Sequence, residues 1–184
     1  MLDNCKWEPD KEFTVELCDE NTHERLEGDD THCTVSIIDE DRPGVIGFRN
    51  QNIKIRRKDE VAYIHVQRFD GSDGDIQCIL NSKTDHELLS GRKRGVENVD
   101  FEPIEDMHIE FRHQVEDCRI EVVIPDFTTQ GDEEKETQII SFVLELSEPQ
   151  PKGVKLLKKN VCVVDIVPDD ILGEEREAYE RERM

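Results

Sequence analysis

Between residues 13 and 167 the apolar residues of this chain recur mainly at every second position, and that period commits the chain to β-strands rather than helices. Phe13, Val15 and Leu17 alternate with polar residues, as do Cys33, Val35 and Ile37. Ala62, Ile64 and Val66 mark one face of a later strand, and Val61, Tyr63 and His65 the other. Further strands are predicted around 53–55, 76–80, 109–111, 120–124, 140–146 and 161–164. About seven short strands with turn signals between them predict an all-β sandwich for the larger part of the chain.

Turn residues divide the sequence. Arg42-Pro43-Gly44 interrupts the strands, since proline and glycine punctuate regular structure. The expected organisation is a first unit at 1–41, a linker at 42–46, a second unit at 47–170 and a charged tail at 171–184. The stretch 19–32 is a polar hairpin loop, and Asp70-Gly71-Ser72-Asp73-Gly74 is a second hairpin turn. The polar loop 83–98 carries Arg92-Lys93-Arg94, which is a localisation signal, an acid-binding patch or simply a solvated triplet. The tail pairs Glu177 with Arg181 at helical spacing.

The chain has 45 acidic against 24 basic residues, a formal net charge of −21. Such a surface repels phosphate backbones and anionic headgroups, which argues against nucleic acid and membrane-surface partners. No run of about 20 apolar residues is present to insert into a bilayer. The six cysteines form no C-x-x-C pair and the six histidines show no metal-ligand spacing. A hairpin would let Cys18 and Cys33 face each other, but reduced cytosolic thiols are the expectation. No nucleotide-binding or hydrolase motif occurs, so no enzyme is expected and no catalytic residue is assigned.

The acids are clustered where strands end. Asp3, Glu8 and Asp10 precede the first strand, and Asp39, Glu40 and Asp41 follow the second. A hairpin brings those two points to one end of a sheet, where converging carboxylates repel unless a cation lies between them. Hard oxygen donors of this kind suit Ca²⁺. The pattern returns as Asp126, then Asp132, Glu133, Glu134 and Glu136, then a strand and Asp165.

The second unit resembles the Calx-β domain of sodium/calcium exchangers and of tandem-repeat adhesion proteins. The resemblance rests on Ile64-His65-Val66-Gln67-Arg68 before Gly71-Ser72-Asp73-Gly74, on Val99-Asp100-Phe101, and on Ile120, Val122, Ile124 and Asp126. It continues through Phe142-Val143-Leu144-Glu145-Leu146-Ser147-Glu148-Pro149 and Val161-Cys162-Val163-Val164-Asp165, covering about residues 47–167. The first unit resembles only the C-terminal third of the same domain, so a fragment or truncated product is the expectation. The resemblance implies an immunoglobulin-like two-sheet sandwich that binds Ca²⁺ through loops at one end. It implies ligands at Asp3, Glu8, Asp39 and Asp41, with Asp10 and Glu40 beside them. In the second unit the ligand set reduces to Asp126 and Asp165, and Arg57 falls near a position that calcium-binding members give to glutamate. Arg57 would then neutralise the remaining acids, or reach the 39–41 cluster across the join, leaving the second unit weak in calcium binding or structural.

The expected function is therefore a non-enzymatic calcium-regulatory module on the cytoplasmic face of a membrane. Its implied partners are a neighbouring Calx-β domain and a parent exchanger-like membrane protein. The rival expectation is a structural or adhesive repeat of an extracellular tandem array, in which calcium stiffens a rod.

Overall fold

A computed structural model describes residues 7–125 and 138–168. Asp3, Asp126, the acidic stretch 132–136, Asp169, Asp170 and the tail 171–184 lie outside the described residues. The described residues are all-β, with two short 3₁₀ turns at Asp29–Thr31 and Glu87–Leu89. Strands β1 (Lys11–Glu16) and β2 (His32–Ile37) form a separate antiparallel ribbon. The remaining strands are β3 (Val45–Phe48), β4 (Asn52–Arg56), β5 (Val61–Phe69), β6 (Ile76–Lys83), β7 (Lys93–Arg94), β8 (Met107–Phe111), β9 (Asp117–Val123), β10 (Ile140–Gln150), β11 (Lys155–Leu156) and β12 (Val161–Val167).

These ten strands make an immunoglobulin-like β-sandwich. One sheet runs β4-β12-β10-β6-β8, with β7 beside β10, and the other runs β11-β3-β5-β9. Val45 and Ile46, expected in the linker, already belong to β3, because β5 pairs with them at Phe69 and Arg68. Alternation works as expected on β5, where Ile64, Val66 and Arg68 point inward, and on β9, where Ile120 and Val122 do. Strand β10 departs from it, since its residues 140–144 are buried on both faces. The inner face meets the opposite sheet, while Leu89 of the 87–89 turn covers Val143 and Val163 from outside. Inside the sandwich Phe101 stacks on Phe142 with ring centroids 3.9 Å apart. Burying such rings contributes about 2–3 kcal/mol each through removal of apolar area from water.

The join between ribbon and sandwich is built from backbone contacts around one buried cation. The Arg42 N–H donates to the Asp73 carboxylate at 3.0 Å, and the Asp73 N–H returns to the Arg42 carbonyl at 3.0 Å. Gly44 has φ +77°, and a Cβ there would lie 2.3 Å from the Gly71 carbonyl oxygen, so only glycine lets the two turns meet. Arg68, 3% exposed, donates to the carbonyls of Pro43, Asp73, Gly74 and Arg112. Burial pulls its pKa down while the charges of Asp73, Asp75 and Glu116 act the other way. On the far side of the same turn, the Trp7 backbone abuts Gly74 and its ring lies against Gly153 and the core. Replacing Arg68 by methionine keeps the stem but leaves these carbonyls without donors. The expected cost is about 3 kcal/mol in urea unfolding of the sandwich, because stranded buried polar groups are expensive.

Candidate metal centre

The described acids among those named from the sequence lie at opposite ends of the sandwich: Glu8, Asp10, Asp39, Glu40 and Asp41 at one, Asp165 at the other. The first is at the join. The hairpin β1–β2 returns the chain to its starting end, so Glu8, Asp10, Asp39 and Asp41 come together as the ladder requires. The Glu8 N–H donates to Asp39 Oδ2 at 3.1 Å, and the Asp39 N–H donates to Asp10 Oδ1 at 3.3 Å. The Asp41 N–H donates to Asp39 Oδ1 at 2.8 Å. Asp39 is thus the hub, half-buried, holding both flanking segments through backbone amides. Glu40 is exposed.

One cation already sits in this group. Lys11 Nζ meets Glu8 Oε2 at 2.5 Å. The hydrogen bond to Glu8 and the Glu8 charge raise the Lys11 pKa, and the Asp39 charge adds to them. The donor set is hard oxygen, which fits Ca²⁺ in type. The fit in geometry is partial: among the described residues no three acidic, histidine or cysteine side chains are grouped closely enough to hold a metal. Each of the carboxylates of Asp10 and Asp39 spends lone pairs on amides, and Glu8 spends one on Lys11.

The second group lies at the other end. Strand directions settle this, because β5 begins at Val61 far from the join and ends at Phe69 beside it. Arg57 follows β4 and donates its N–H to the Val167 carbonyl at the end of β12. Nine residues of β5 separate the two ends, roughly 25–30 Å, so Arg57 does not reach the 39–41 cluster. It borders the chain that leads from β12 into Asp169 and Asp170.

Asp165 is not a loop residue. It sits inside β12 opposite Ser141, and its Oδ1 accepts from the Ser141 hydroxyl and from Arg92 Nη1, both at 2.6 Å. The ladders explain the position. Phe142 faces Val164 and Ile140 faces Ile166, as Phe13 faces Val35 and Lys11 faces Ile37. Asp165 is therefore the counterpart of Ser36, and the rung is reversed: Ser36 donates to Glu12 in the ribbon, Ser141 to Asp165 in the sandwich. The counterparts of Glu40 and Asp41 are Asp169 and Asp170.

The basic triplet, readable in sequence as a localisation signal, an acid-binding patch or a solvated triplet, meets acids through its two arginines. Arg92 pairs with Asp165, Arg94 with Asp85 at 2.7 Å, and Lys93 with the Gln138 side chain at 2.6 Å. Strand β7 makes this possible by pairing in parallel with residues 140 and 141 of β10. Three of the six histidines serve structure: His65 pairs with Asp117, His86 caps the 87–89 turn, and His113 accepts the Gly74 N–H. No helix among the described residues is long and apolar enough to cross a membrane.

No protein-family model and no curated protein matches this sequence. Solved structures do. The apo-form Calx CBD1 domain aligns with TM-score 0.54 at 16% identity, over 68% of this chain and 96% of that one. The Calx CBD2 domain aligns with TM-score 0.57 at 12% identity, over 76% and 95%. The calcium binding domain CBD12 of CALX1.1 aligns with TM-score 0.54 at 16% identity, over 68% of this chain and 44% of that one. At these identities the likeness establishes a Calx CBD-like fold.

Replacing Arg92 by alanine leaves Asp165 with the Ser141 hydroxyl alone. A loss of roughly 1 kcal/mol in chemical denaturation is expected, smaller in high salt because the arginine is partly exposed.

Proposed function

We propose that this chain is a non-enzymatic, calcium-binding regulatory module of the Calx-β type, carried by a sodium/calcium-exchanger-like membrane protein on its cytoplasmic face. The observation that supports it is the hydrogen-bonded convergence of Glu8, Asp10, Asp39 and Asp41 beside the join to a Calx CBD-like sandwich. Ca²⁺ would be held by these four with Asp3 and Glu40. Bound there, the ion supplies charge neutralisation and multidentate oxygen coordination. The chain's own residues do the rest. Asp39 ties the segments before β1 and after β2, so any pull on its carboxylate is passed to Arg42 and the turn at Asp73. Lys11 is a built-in competitor for the same negative charge. The sandwich end bearing Arg57, Arg92 and Asp165 is assigned a structural role, with Asp165 met by Arg92.

A second reading, a structural repeat of an extracellular array, is favoured by the Arg68-centred join, which fixes the ribbon through protein contacts alone. The two readings differ in whether calcium changes the orientation of ribbon and sandwich.

Calorimetric titration of the chain with Ca²⁺ should give saturable heat, weakened about tenfold or more by Asp39→Asn with Asp41→Asn. Lys11→Gln should tighten binding severalfold. Absence of heat together with an unshifted melting temperature in Ca²⁺ would sink the proposal. Binding without any change in small-angle scattering would favour the structural repeat.

A further inference from the structure

The ribbon β1–β2 and the hairpin β10–β12 are two copies of one element. A single constant spacing in sequence relates Phe13 to Phe142, Val15 to Leu144, Leu17 to Leu146, Cys33 to Cys162, Val35 to Val164 and Ile37 to Ile166. The ladders agree rung by rung, and the closing bonds agree too: Leu17 N–H to the Thr31 carbonyl at 2.8 Å, Leu146 N–H to the Asn160 carbonyl at 2.9 Å. Chemistry on the inward face is kept at these six positions and changes at Lys11, the counterpart of Ile140. Environment is not kept. Phe142 and Leu146 are 0% exposed, whereas Phe13 is 49% and Leu17 55% exposed.

The sandwich displays what covers the second copy. The sheet β11-β3-β5-β9 lays Ile46, Ile64, Val66, Ile120 and Val122 over it. Strand β6 pairs antiparallel with β10, and β4 pairs parallel with β12. Among the described residues, Phe13, Val15 and Leu17 stay exposed, Val35 and Ile37 are half-buried, and β1 and β2 pair only with each other. A two-stranded ribbon with an uncovered apolar face is marginal in water.

We infer that the face of Phe13, Val15, Leu17, Cys33, Val35 and Ile37 is a docking surface for a β-sandwich module that lacks its own closing hairpin. The partner brings a sheet with aliphatic side chains at alternate positions, and two edge strands, one antiparallel to β1 and one parallel to β2. A second copy of this chain does not meet the description, because its own aliphatic sheet is already covered by β10 and β12 and both chains carry a net charge of −21. The inference concerns burial and does not depend on calcium.

The test supplies such a partner. The full chain is compared with a fusion in which a copy of residues 45–125, holding counterparts of β3 to β9, precedes Met1. Alkylation of Cys33 by iodoacetamide is followed by peptide mass spectrometry, with buried Cys162 as internal reference. Burial pushes the Cys162 thiol up to about 12, so its reaction is slow. In the fusion Cys33 should react at least about tenfold more slowly than in the chain alone, as a thiol moved into a sandwich core does, and Phe13→Asp should restore the fast rate. An unchanged Cys33 rate in the fusion, whether or not the added strands fold, overturns the inference. So does a sedimenting dimer of the unfused chain in which Cys33 is already protected, since the occupant is then a second copy.

Discussion

A guanidinium that bonds to backbone carbonyls rather than to a carboxylate holds the two parts of this molecule together. Arg68 leaves β5 pointing inward, where alternation would place an apolar residue, and gathers carbonyls from the linker, the β5–β6 turn and the end of β8. Those oxygens would otherwise be buried without donors, since the tight approach of Gly44 to Gly71 leaves little room between the turns. The turn that Arg68 gathers is also the one that the Trp7 backbone abuts at Gly74 and that Arg42 meets at Asp73.

Charge is handled locally throughout. A chain with a net charge of −21 must keep its acids from repelling one another within a compact fold. Here cations are placed at particular acids: Lys11 at Glu8, Arg56 at Asp59, Arg92 at Asp165 and Arg94 at Asp85. Most of these pairs are exposed and contribute little to stability individually. At Asp10 and Asp39 the donors include backbone amides, those of Asp39, Glu8 and Asp41.

The strands with clean alternation were legible in the sequence, because period two and burial on one face are the same fact. Three were not. Strands β7 and β11 are two residues long and carry no period, and β3 begins directly after Pro43 and Gly44, where turn residues dominate the reading. The convergence of Glu8, Asp10 and Asp39 was legible from hairpin connectivity alone. The direction of their oxygens was not, since it depends on which backbone amides lie within reach. The acidic pattern puts Asp165 after a strand, but only the ladder reveals that it lies within β12, faces Ser141 and matches Ser36. The role of Arg68 is hidden in the sequence, because its partners are carbonyls distant in sequence and every residue has one.

The parallel pairing of β4 with β12 carries a consequence for how the chain acquires its shape. Strand β4 lies early and β12 near the end of the described chain, so its ladder closes only after almost every other strand has been made. Contacts of such long range are slow to form, and the apolar faces they cover stay open meanwhile. The ribbon β1–β2, closed by a local turn, has no such wait. Of the described elements, the ribbon can thus form before the sandwich, whose ladder is the last to shut. A factor that binds exposed apolar strands would find the ribbon face presented during that interval.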